Sequence, residues 1–373
     1  MKKIALMNNN QYYLYVSKHE SPIPWNIYDA KPPIEFALTG YFGQIFQKIE
    51  ESCLLSGLIF YITWSEIDEL PSYGSNVVVF VLGDEWYRIP NYAHKVRAVF
   101  KCIGTQTILG CNPFLEPSRL NLLTLIQFLR ILFVGIPGWI NYCWHKSKHW
   151  LLGQEKIPPI YDVPLGYNNL EYLPIKNLQE RIYDTSFSGS IMHRKYGIMS
   201  VKFWLGTPKI LSRELMLSTL KKLRDNHPKL KIELSITGGY HERSKQDEQS
   251  YSQLIMDTKI CVVPRGTSWE TTRLFEGMKY GCVLVTEALP DRWYLKGVPT
   301  IQIKNWQQLP QLLKELLDNQ DLMQEMHHKS LTFWHHKSLT FWQDKCCETV
   351  VADYIIGKLT PRENLNFTKF SKY

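Results

Sequence analysis

The chain has 373 residues, a formal net charge of +8, 45% hydrophobic residues and 13% aromatic residues. This length and composition suit two folded domains with separate cores and exclude a disordered chain. The positive charge is compatible with an anionic substrate, nucleic acid or an acidic membrane surface, but no zinc-finger spacing, RNP-like motif or dense basic block accompanies it, so nucleic acid is excluded as the expected partner.

The cysteines and the start of the chain indicate a cytoplasmic protein. The eight cysteines are scattered and form no Cys-x-x-Cys pair, so we expect reduced thiols rather than disulfides or zinc ligands. The opening MKKIALMN has only four apolar residues before Asn8, which is too few for the core of a signal peptide. Residues 4–7 are predicted to form the first strand.

The first half of the chain alternates apolar runs with helical stretches, which predicts an α/β domain. Its later strands are expected at Gly57 to Trp64, Val77 to Leu82 and Val96 to Ile103. Asp84 and Glu85 follow the second of these runs, so they are predicted to emerge at the carboxyl edge of a sheet and to supply a general base. The alternative interpretation is a solvated turn or a helix N-cap. The pair is not an Asp-x-Asp metal motif, and no metal site is predicted.

An apolar segment from Leu120 to Ile140 predicts a helix that Pro137 and its neighbouring glycines should end. Polar residues recur at every third position of this segment, so the helix is interpreted mainly as a packed domain helix. A membrane-surface or acceptor-contact helix is the first alternative, since residues 138–150 mix aromatic and basic side chains, and a membrane-spanning helix is the second. Peripheral contact with the inner membrane face through residues 120–150 therefore stays open.

Three prolines and a glycine in QEKIPPIYDVPLGYNN, residues 154–169, predict a linker. We place an N-terminal, acceptor-side domain at 1–165, a donor-binding domain at 166–357 and a tail at 358–373. Repeated strand and helix units after the linker predict a doubly wound parallel sheet. Its first strand ends in Ser188, Gly189 and Ser190, where Gly189, Ser190 and the nearby Arg194 are candidate contacts for a phosphate. An ordinary turn is the alternative.

The stretch KICVVPRGTSWETTRLFEGMKYGCVLVTE, residues 259–287, predicts a strand, a loop, a helix and a second strand. Thr267 is predicted to cap the helix in a capping box with Glu270, and Gly281 is predicted to end it in the left-handed conformation. Arg265 and Gly266 approach the helix N-terminus, where free backbone N–H groups and the helix dipole favour an anion.

Arg273 and Glu276 are three residues apart, so they share one face of this helix. A guanidinium can hold phosphate oxygens in a bidentate manner, and a carboxylate can accept hydrogen bonds from ribose hydroxyls. The pair therefore suits a nucleoside diphosphate. The alternative is a salt bridge within the helix.

The segment PRGTSWETTRLFEGMKYGCVLV, residues 264–285, resembles the donor-binding signature of the exostosin-like glycosyltransferases: a Pro-Arg-Gly loop, an Arg-Leu-Phe-Glu helix and a Gly-Cys strand. The resemblance extends from Phe187 to about Ile303. It implies a metal-independent transferase of GT-B architecture, in which two Rossmann-like domains face each other across a cleft. The donor would be a nucleoside diphosphate sugar, with a UDP-sugar expected, and no cofactor is needed. The resemblance does not identify the acceptor. Our leading hypothesis is transfer to a saccharide or a lipid-linked molecule with inversion of the anomeric centre.

By that resemblance Arg265 and Arg273 would hold the diphosphate together with Gly266 and Thr267 of the loop, and Glu276 would hold the ribose. Two other outcomes stay open for a protein of this shape. One is a nucleotide-sugar epimerase, which needs no acceptor, and the other is a non-catalytic nucleotide-sugar-binding protein.

Near the C-terminus the sequence HHKSLTFW occurs twice in tandem, at residues 327–334 and 335–342. Eight residues advance a helix by about 80° beyond two turns, so the two histidine pairs would not share a face. We interpret the repeat as a duplicated helical segment and not as a metal site.

Overall fold

A computed structural model of the protein describes residues 10–17, 20–29, 32–34, 38–65, 68–153, 157, 159–168, 173–190, 207–237, 245–334 and 347–360. The chain divides into two compact units. Residues 1–107, 131–168 and 339–373 form the first unit, and residues 108–130 and 169–338 form the second. Each unit is an α/β structure around its own sheet, so the predicted α/β class is confirmed.

The first unit contains a six-stranded sheet in the order β2-β1-β3-β4-β5-β6. Only the short β2 runs antiparallel to its neighbour. The strands are β1 (Gln11–Tyr15), β2 (Ile23–Pro24), β3 (Ile59–Thr63), β4 (Gly74–Val81), β5 (Val96–Lys101) and β6 (Ile160–Asp162). The predicted strand at residues 4–7 lies outside the described residues.

Both faces of this first sheet are buried, as the continuous apolar sequence of β4 predicts. Val77, Val79 and Val81 point into a core of valines and tyrosines. On the other face Phe80 stacks on Phe100 at 4.9 Å between ring centroids. Helices α1 (Thr39–Ser52) and α8 (Glu348–Leu359) pack together in this unit.

The second unit contains a five-stranded sheet in the order β11-β10-β9-β7-β8, and all its neighbouring strands are parallel. The strands are β7 (Tyr183–Ser190), β8 (Ile232–Thr237), β9 (Thr258–Val263), β10 (Val283–Thr286) and β11 (Thr300–Gln302). The helices are α3 (Pro208–Asn226), α4 (Lys245–Met256), α5 (Thr272–Lys279), α6 (Leu309–Asp318) and α7 (Gln320–Trp334). Because the strands are parallel, their carboxyl ends share one edge, which is where ligands bind in such sheets.

Helix α2 (Arg119–Leu151) is longer than the sequence predicts. Its residues 119–130 belong to the second unit and 131–151 to the first. The prediction that Pro137 ends the helix is wrong, because Pro137 lies inside it. An internal proline costs about 3 kcal/mol, and packing beyond it offsets that cost: a Cβ added to Gly138 would lie 2.6 Å from the carbonyl oxygen of Ile89, and Tyr142 packs on the valine core.

Helix α2 is also the one described helix that is long and apolar enough to cross a membrane. Only 17% of its most apolar window is buried in the protein.

Candidate functional site

The loop between β9 and α5, residues 264–271, is longer than the sequence predicts. The predicted capping box at Thr267 is wrong: α5 begins at Thr272, and Thr271 is its N-cap. Glu270 instead accepts hydrogen bonds from Arg292 Nε at 2.5 Å and from the Tyr294 hydroxyl at 2.7 Å. This ion pair is favoured over the capping box, because Glu270 neutralises Arg292, whose positive charge would otherwise be buried without a partner.

The C-terminus of α5 follows the prediction. Gly281 has φ of +69°, a conformation that glycine adopts without strain. Its N–H donates to Met278 O and the N–H of Cys282 donates to Gly277 O, which together make a Schellman motif. The helix is therefore short and well terminated, and its N-terminus lies at the carboxyl edge of the sheet, beside the end of β9.

Arg265 is buried in the loop that follows β9. Its guanidinium lies 3.7 Å from the centroid of the Trp269 ring, and Nη1 donates to Thr124 Oγ1 at 3.0 Å. The loop is further held by Gln127, which donates to the carbonyl of Thr267, and by the indole of Trp269, which donates to Ile108 O. The start of α2 and the residues before it thus fix the Arg265 side chain and its loop.

Arg273, in the first turn of α5, reaches across to the end of β7. Nη2 donates to the carbonyl oxygen of Ser188, and the guanidinium lies 4.4 Å from the centroid of the Phe187 ring. A Cβ added to Gly189 would lie 2.8 Å from Nη2. The structure therefore brings Gly189 and Arg273 together. It also shows why glycine suits position 189, since a side chain would collide with the guanidinium.

Arg273 is only 8% exposed, and among the described residues it forms no ion pair. The alternative of a salt bridge with Glu276 is therefore not the arrangement found. Glu276 is buried one turn further along α5, and its Oε2 accepts a hydrogen bond from the Tyr251 hydroxyl at 2.7 Å. The two side chains thus leave α5 toward different neighbours, Arg273 toward β7 and Glu276 toward α4.

Glu287 is a site residue that the sequence reasoning missed. It directly follows β10, and its Oε2 accepts from the backbone N–H of Arg265 at 2.9 Å and from the Ser212 hydroxyl at 2.6 Å. The indole of Trp306 donates to the same hydroxyl. This chain of hydrogen bonds ties β9, β10 and α3 together at the carboxyl edge. The signal available in the sequence was a carboxylate directly after a buried strand.

The other predicted donor contacts occupy varied positions. Ser190 is buried, and its carbonyl accepts from Arg213 Nη1 at 2.8 Å. A Cβ at Gly266 would meet ordinary contacts of 3.5 Å with Ser268 and Thr271, so steric crowding does not require glycine there. Thr267 is half-buried in the same loop. Arg194 lies outside the described residues.

Thr271 is the last residue of the loop between β9 and α5, and its side chain lacks a hydrogen-bond partner among the described residues. Its Oγ1 is buried and, within the described part of the chain, has no hydrogen-bond partner. The hydroxyl does not cap α5, although Thr271 is the N-cap residue. An unsatisfied hydroxyl at a helix N-terminus can donate to a phosphate oxygen.

In the first unit, Asp84 is a buried member of an ion-paired cluster. It accepts from Lys101 Nζ at 2.7 Å, from Arg88 Nε at 2.9 Å and from the backbone N–H of Arg88 at 2.7 Å. Burial by itself would raise the pKa of Asp84, but Lys101 and Arg88 hold it below its usual range. A general base at neutral pH needs a shift in the opposite direction. Glu85, its half-buried neighbour, takes no part in these three contacts of Asp84.

No protein-family model matches the chain, and no curated protein matches it. Among solved structures 23 chains match. One belongs to the crystal structure of a GtfA/B complex, with 12% sequence identity and a TM-score of 0.35; the match covers 78% of this chain and 58% of that one. The chain thus spans little more than half the length of that neighbour, and a likeness at this TM-score carries no argument about activity. The resemblance to exostosin-like glycosyltransferases accordingly rests on the motif residues.

Proposed function

We propose that the carboxyl edge of the second sheet binds the diphosphate of a nucleotide sugar, and that the protein is a glycosyltransferase. The observation that carries this proposal is Arg273, a buried guanidinium that has no carboxylate partner among the described residues. A buried charge without a counter-charge costs several kcal/mol of solvation. An anionic ligand at this edge would recover that free energy.

Neighbouring groups support a diphosphate in particular. Arg265 brings a second buried guanidinium to the same loop and helix. The N-terminus of α5 adds its backbone N–H groups and dipole, and the Thr271 hydroxyl adds a donor. Two cations and a helix N-terminus match the two negative phosphates of a nucleoside diphosphate better than a single carboxylate.

Glu276 is proposed to receive the ribose hydroxyls. Tyr251 holds its carboxylate through a hydrogen bond of 2.7 Å, which fixes the direction in which the carboxylate can accept further hydrogen bonds. The donor is proposed to be a UDP-sugar carrying a hexose or pentose, and the acceptor a saccharide or a lipid-linked molecule. Binding of the diphosphate by arginines and a helix dipole is the basis for proposing a metal-independent reaction.

In the proposed inverting reaction, the acceptor hydroxyl gives its proton to a carboxylate while its oxygen forms the new bond to the anomeric carbon. The bond from that carbon to the diphosphate breaks, and the diphosphate leaves with the electron pair. Of the predicted pair we propose Glu85 as the base. Asp84 is proposed to position the turn that carries Glu85, because Lys101 and Arg88 keep it ionised and occupied.

Calorimetric titration with UDP, GDP and ADP tests the donor site. We expect Arg273→Ala to weaken binding of the preferred diphosphate about 10- to 100-fold, because a charge-assisted hydrogen bond contributes roughly 1.5–3 kcal/mol. Arg224→Ala is the matched control, since Arg224 is an exposed arginine of the same unit. Arg273→Lys keeps the charge and is expected to show an intermediate loss. If Arg273→Ala and Arg273→Lys bind each nucleotide as wild type and the Arg224→Ala control do, the site assignment is wrong.

A non-catalytic nucleotide-sugar-binding protein is the second candidate, and the lowered pKa of Asp84 favours it, because that carboxylate is a poor base. Donor hydrolysis measured without acceptor separates the two. We expect slow hydrolysis that chelators do not change and that Arg273→Ala abolishes. Tight nucleotide binding without any hydrolysis or transfer across a panel of donors would favour the binding protein.

A further inference from the structure

Helix α2 exposes a continuous row of large apolar side chains in the first unit. Phe133, Ile136, Ile140 and Trp144 follow one another at intervals of three or four residues, so they lie on one face of the helix. All four are exposed; Phe133 and Trp144 are 74% and 68% exposed. Leu132 and Trp139 extend the same surface along one side. We call these six residues the α2 stripe.

The opposite face of α2 is the one that contacts the protein. Gly138 approaches the carbonyl of Ile89, Asn141 donates to Asn91 O at 3.3 Å, and the His145 ring stacks on His94 with centroids 3.6 Å apart. These residues lie about half a turn away from the stripe by helical geometry. The helix therefore already has its packed face, and the stripe points away from the unit that carries it.

The first turns of α2 also expose their apolar side chains, and their polar side chains contact the protein. Leu122, Ile126 and Leu129 are exposed, whereas Thr124 is buried against Arg265, and Gln127 bonds the loop carbonyl of Thr267. An ordinary surface helix buries its apolar face and exposes its polar one. A helix that leaves large apolar side chains exposed along most of its length presents a surface for an apolar partner.

Charge distinguishes a lipid bilayer from a protein partner. Residues 117–154 contain no Asp or Glu but include Arg119, Arg130, Lys146 and Lys148. Arg130 and Lys148 are 18 residues apart, five helical turns, so they lie along one border of the stripe, and Lys146 lies along the other. All three are exposed. Basic side chains that border an apolar face can place their charges at lipid phosphates while their stems stay with the acyl chains.

The aromatic residues fit the same partner. Trp139, Trp144 and Trp150 are exposed within twelve residues of one helix. Tryptophan concentrates at the boundary between lipid headgroups and acyl chains, because its ring is apolar and its N–H is polar. A helix that is packed on protein along one face can lie in this boundary, with only its stripe in contact with acyl chains.

We propose that α2 docks the protein on an anionic phospholipid bilayer, with the helix in the plane of the membrane. The stripe enters the acyl-chain region, and Arg130, Lys146 and Lys148 lie at the headgroup phosphates. This inference is independent of the proposed sugar transfer, since it rests on α2 and not on the sheet edge.

Vesicle co-sedimentation of the full chain tests the proposal. One set of vesicles is phosphatidylcholine alone, and the other contains about 30 mol% phosphatidylglycerol, a charge density in the range of anionic leaflets. Wild type is expected to bind the anionic vesicles at least about 10-fold better than the neutral ones, and added salt should weaken this binding. Absence of binding to the anionic vesicles, or equal binding to both sets, would overturn the proposal.

Two sets of variants locate the contact. Phe133→Gln combined with Trp144→Gln should reduce binding at least about 10-fold, since it removes two inserted side chains. Tyr28→Gln with Leu54→Gln is the matched control, because these two apolar residues of the same unit are each 63% exposed and lie outside α2. The control pair should bind as wild type does. Equal losses in the two pairs would contradict docking through α2.

Light scattering and fluorescence quenching exclude the other occupants. If wild type is a dimer that the Phe133 and Trp144 substitutions convert to a monomer, and vesicle binding does not change, a second copy of this chain covers the stripe and the proposal is overturned. For a helix in the membrane plane, bromine near the headgroup end of the acyl chains should quench tryptophan fluorescence more than bromine near the chain end. The reverse order would indicate a spanning helix and contradict the proposal.

Discussion

Gly189 lies so close to Arg273 that one added methyl group tests the role proposed for that arginine. The Cβ of Gly189→Ala would lie 2.8 Å from Arg273 Nη2 and 3.2 Å from Phe187 Cζ. Ordinary contacts begin at 3.4 Å, so the guanidinium has to move by about 0.6 Å to restore an ordinary contact. The substitution changes neither the charge of the site nor the identity of any hydrogen-bonding group.

The cost to stability is expected to be small. The group that moves is the end of a long flexible side chain, and alanine gains about 0.5–1 kcal/mol over glycine within a strand because the unfolded chain has less freedom to lose. We expect the midpoint of thermal unfolding to stay within about 4 °C of wild type, which corresponds to roughly 1 kcal/mol for a unit of this size.

Nucleotide binding should suffer much more than stability. A shift of 0.6 Å is enough to break or bend a charge-assisted hydrogen bond to phosphate, which contributes about 1.5–3 kcal/mol. We therefore expect calorimetry to show a Kd for the preferred diphosphate about 10- to 100-fold above wild type. Gly357→Ala is the control, because a Cβ there meets nothing within 4 Å. Wild-type affinity in Gly189→Ala would refute the reasoning that this guanidinium contacts the donor.

Three further predictions concern buried charge and protons. Lys101→Met should destabilise the protein by about 3 kcal/mol in urea unfolding, because it leaves the Asp84 carboxylate buried without its main partner. The double variant that also carries Asp84→Asn should recover part of this loss. No recovery would contradict the pairing of Lys101 with Asp84. Burial lowers the pKa of His94 to about 4 from 6.5, so between these pH values the unfolded chain binds more protons and stability falls as pH drops. His94→Gln should flatten the curve of unfolding free energy against pH in this range. An unchanged slope would contradict the lowered pKa of His94. Glu270→Gln should cost about 3 kcal/mol by leaving the Arg292 charge buried, and a loss below about 0.5 kcal/mol, typical of exposed pairs, would show that the pair is solvated.

The strands of the two sheets are predicted well, because a buried parallel strand can be recognised from its own short apolar sequence. The run at residues 260–263 and the run at 282–286 lie in the neighbouring strands β9 and β10, within one or two residues at each end. Continuous β-branched residues between turn signals suffice to identify such strands. The left-handed Gly281 was predictable for the same reason, since a Schellman motif involves only residues of one turn.

The start of α5 was mispredicted because its cause is distant in sequence. Thr267 and Glu270 have the spacing of a capping box, but the partners that hold Glu270 are 22 and 24 residues further along the chain. Glu287 was missed for a similar reason, because its hydrogen-bond donors, the Ser212 hydroxyl and the Arg265 N–H, come from other elements. A local pattern cannot show which of two hydrogen-bonding arrangements has the lower free energy once tertiary partners compete.

Helix α2 shows a different limit of sequence reasoning. The repeat of Asn121, Thr124, Gln127 and Arg130 indicates a helix with one polar face, but periodicity does not say which face meets the protein. In the structure the first three are turned inward, where Thr124 and Gln127 bond the Arg265 loop, whereas Arg130 is exposed. The polar residues thus have a positioning role at the candidate site, and the apolar residues are left to the surface.

Two other buried arginines of the second unit have contacts that are typical of a purely structural role. Arg292 is neutralised by Glu270 at 2.5 Å. Arg181 distributes its N–H groups over the carbonyls of Lys176, Thr258 and Tyr280 and so closes the N-terminal edge of the sheet. Each guanidinium thus donates to acceptors of the protein itself.

Arg273 is also buried, but within the described part of the chain it follows neither pattern. One hydrogen bond to Ser188 O and the face of Phe187 orient its guanidinium without neutralising it, and Gly189 leaves room beside it. A charge that is oriented by neutral groups before a ligand arrives needs little reorganisation when an anion binds, which is the condition for strong electrostatic stabilisation. In the unliganded protein, burial of this charge lowers the free energy of unfolding. A diphosphate that binds this site should therefore raise the unfolding temperature of wild type and leave that of Arg273→Ala nearly unchanged.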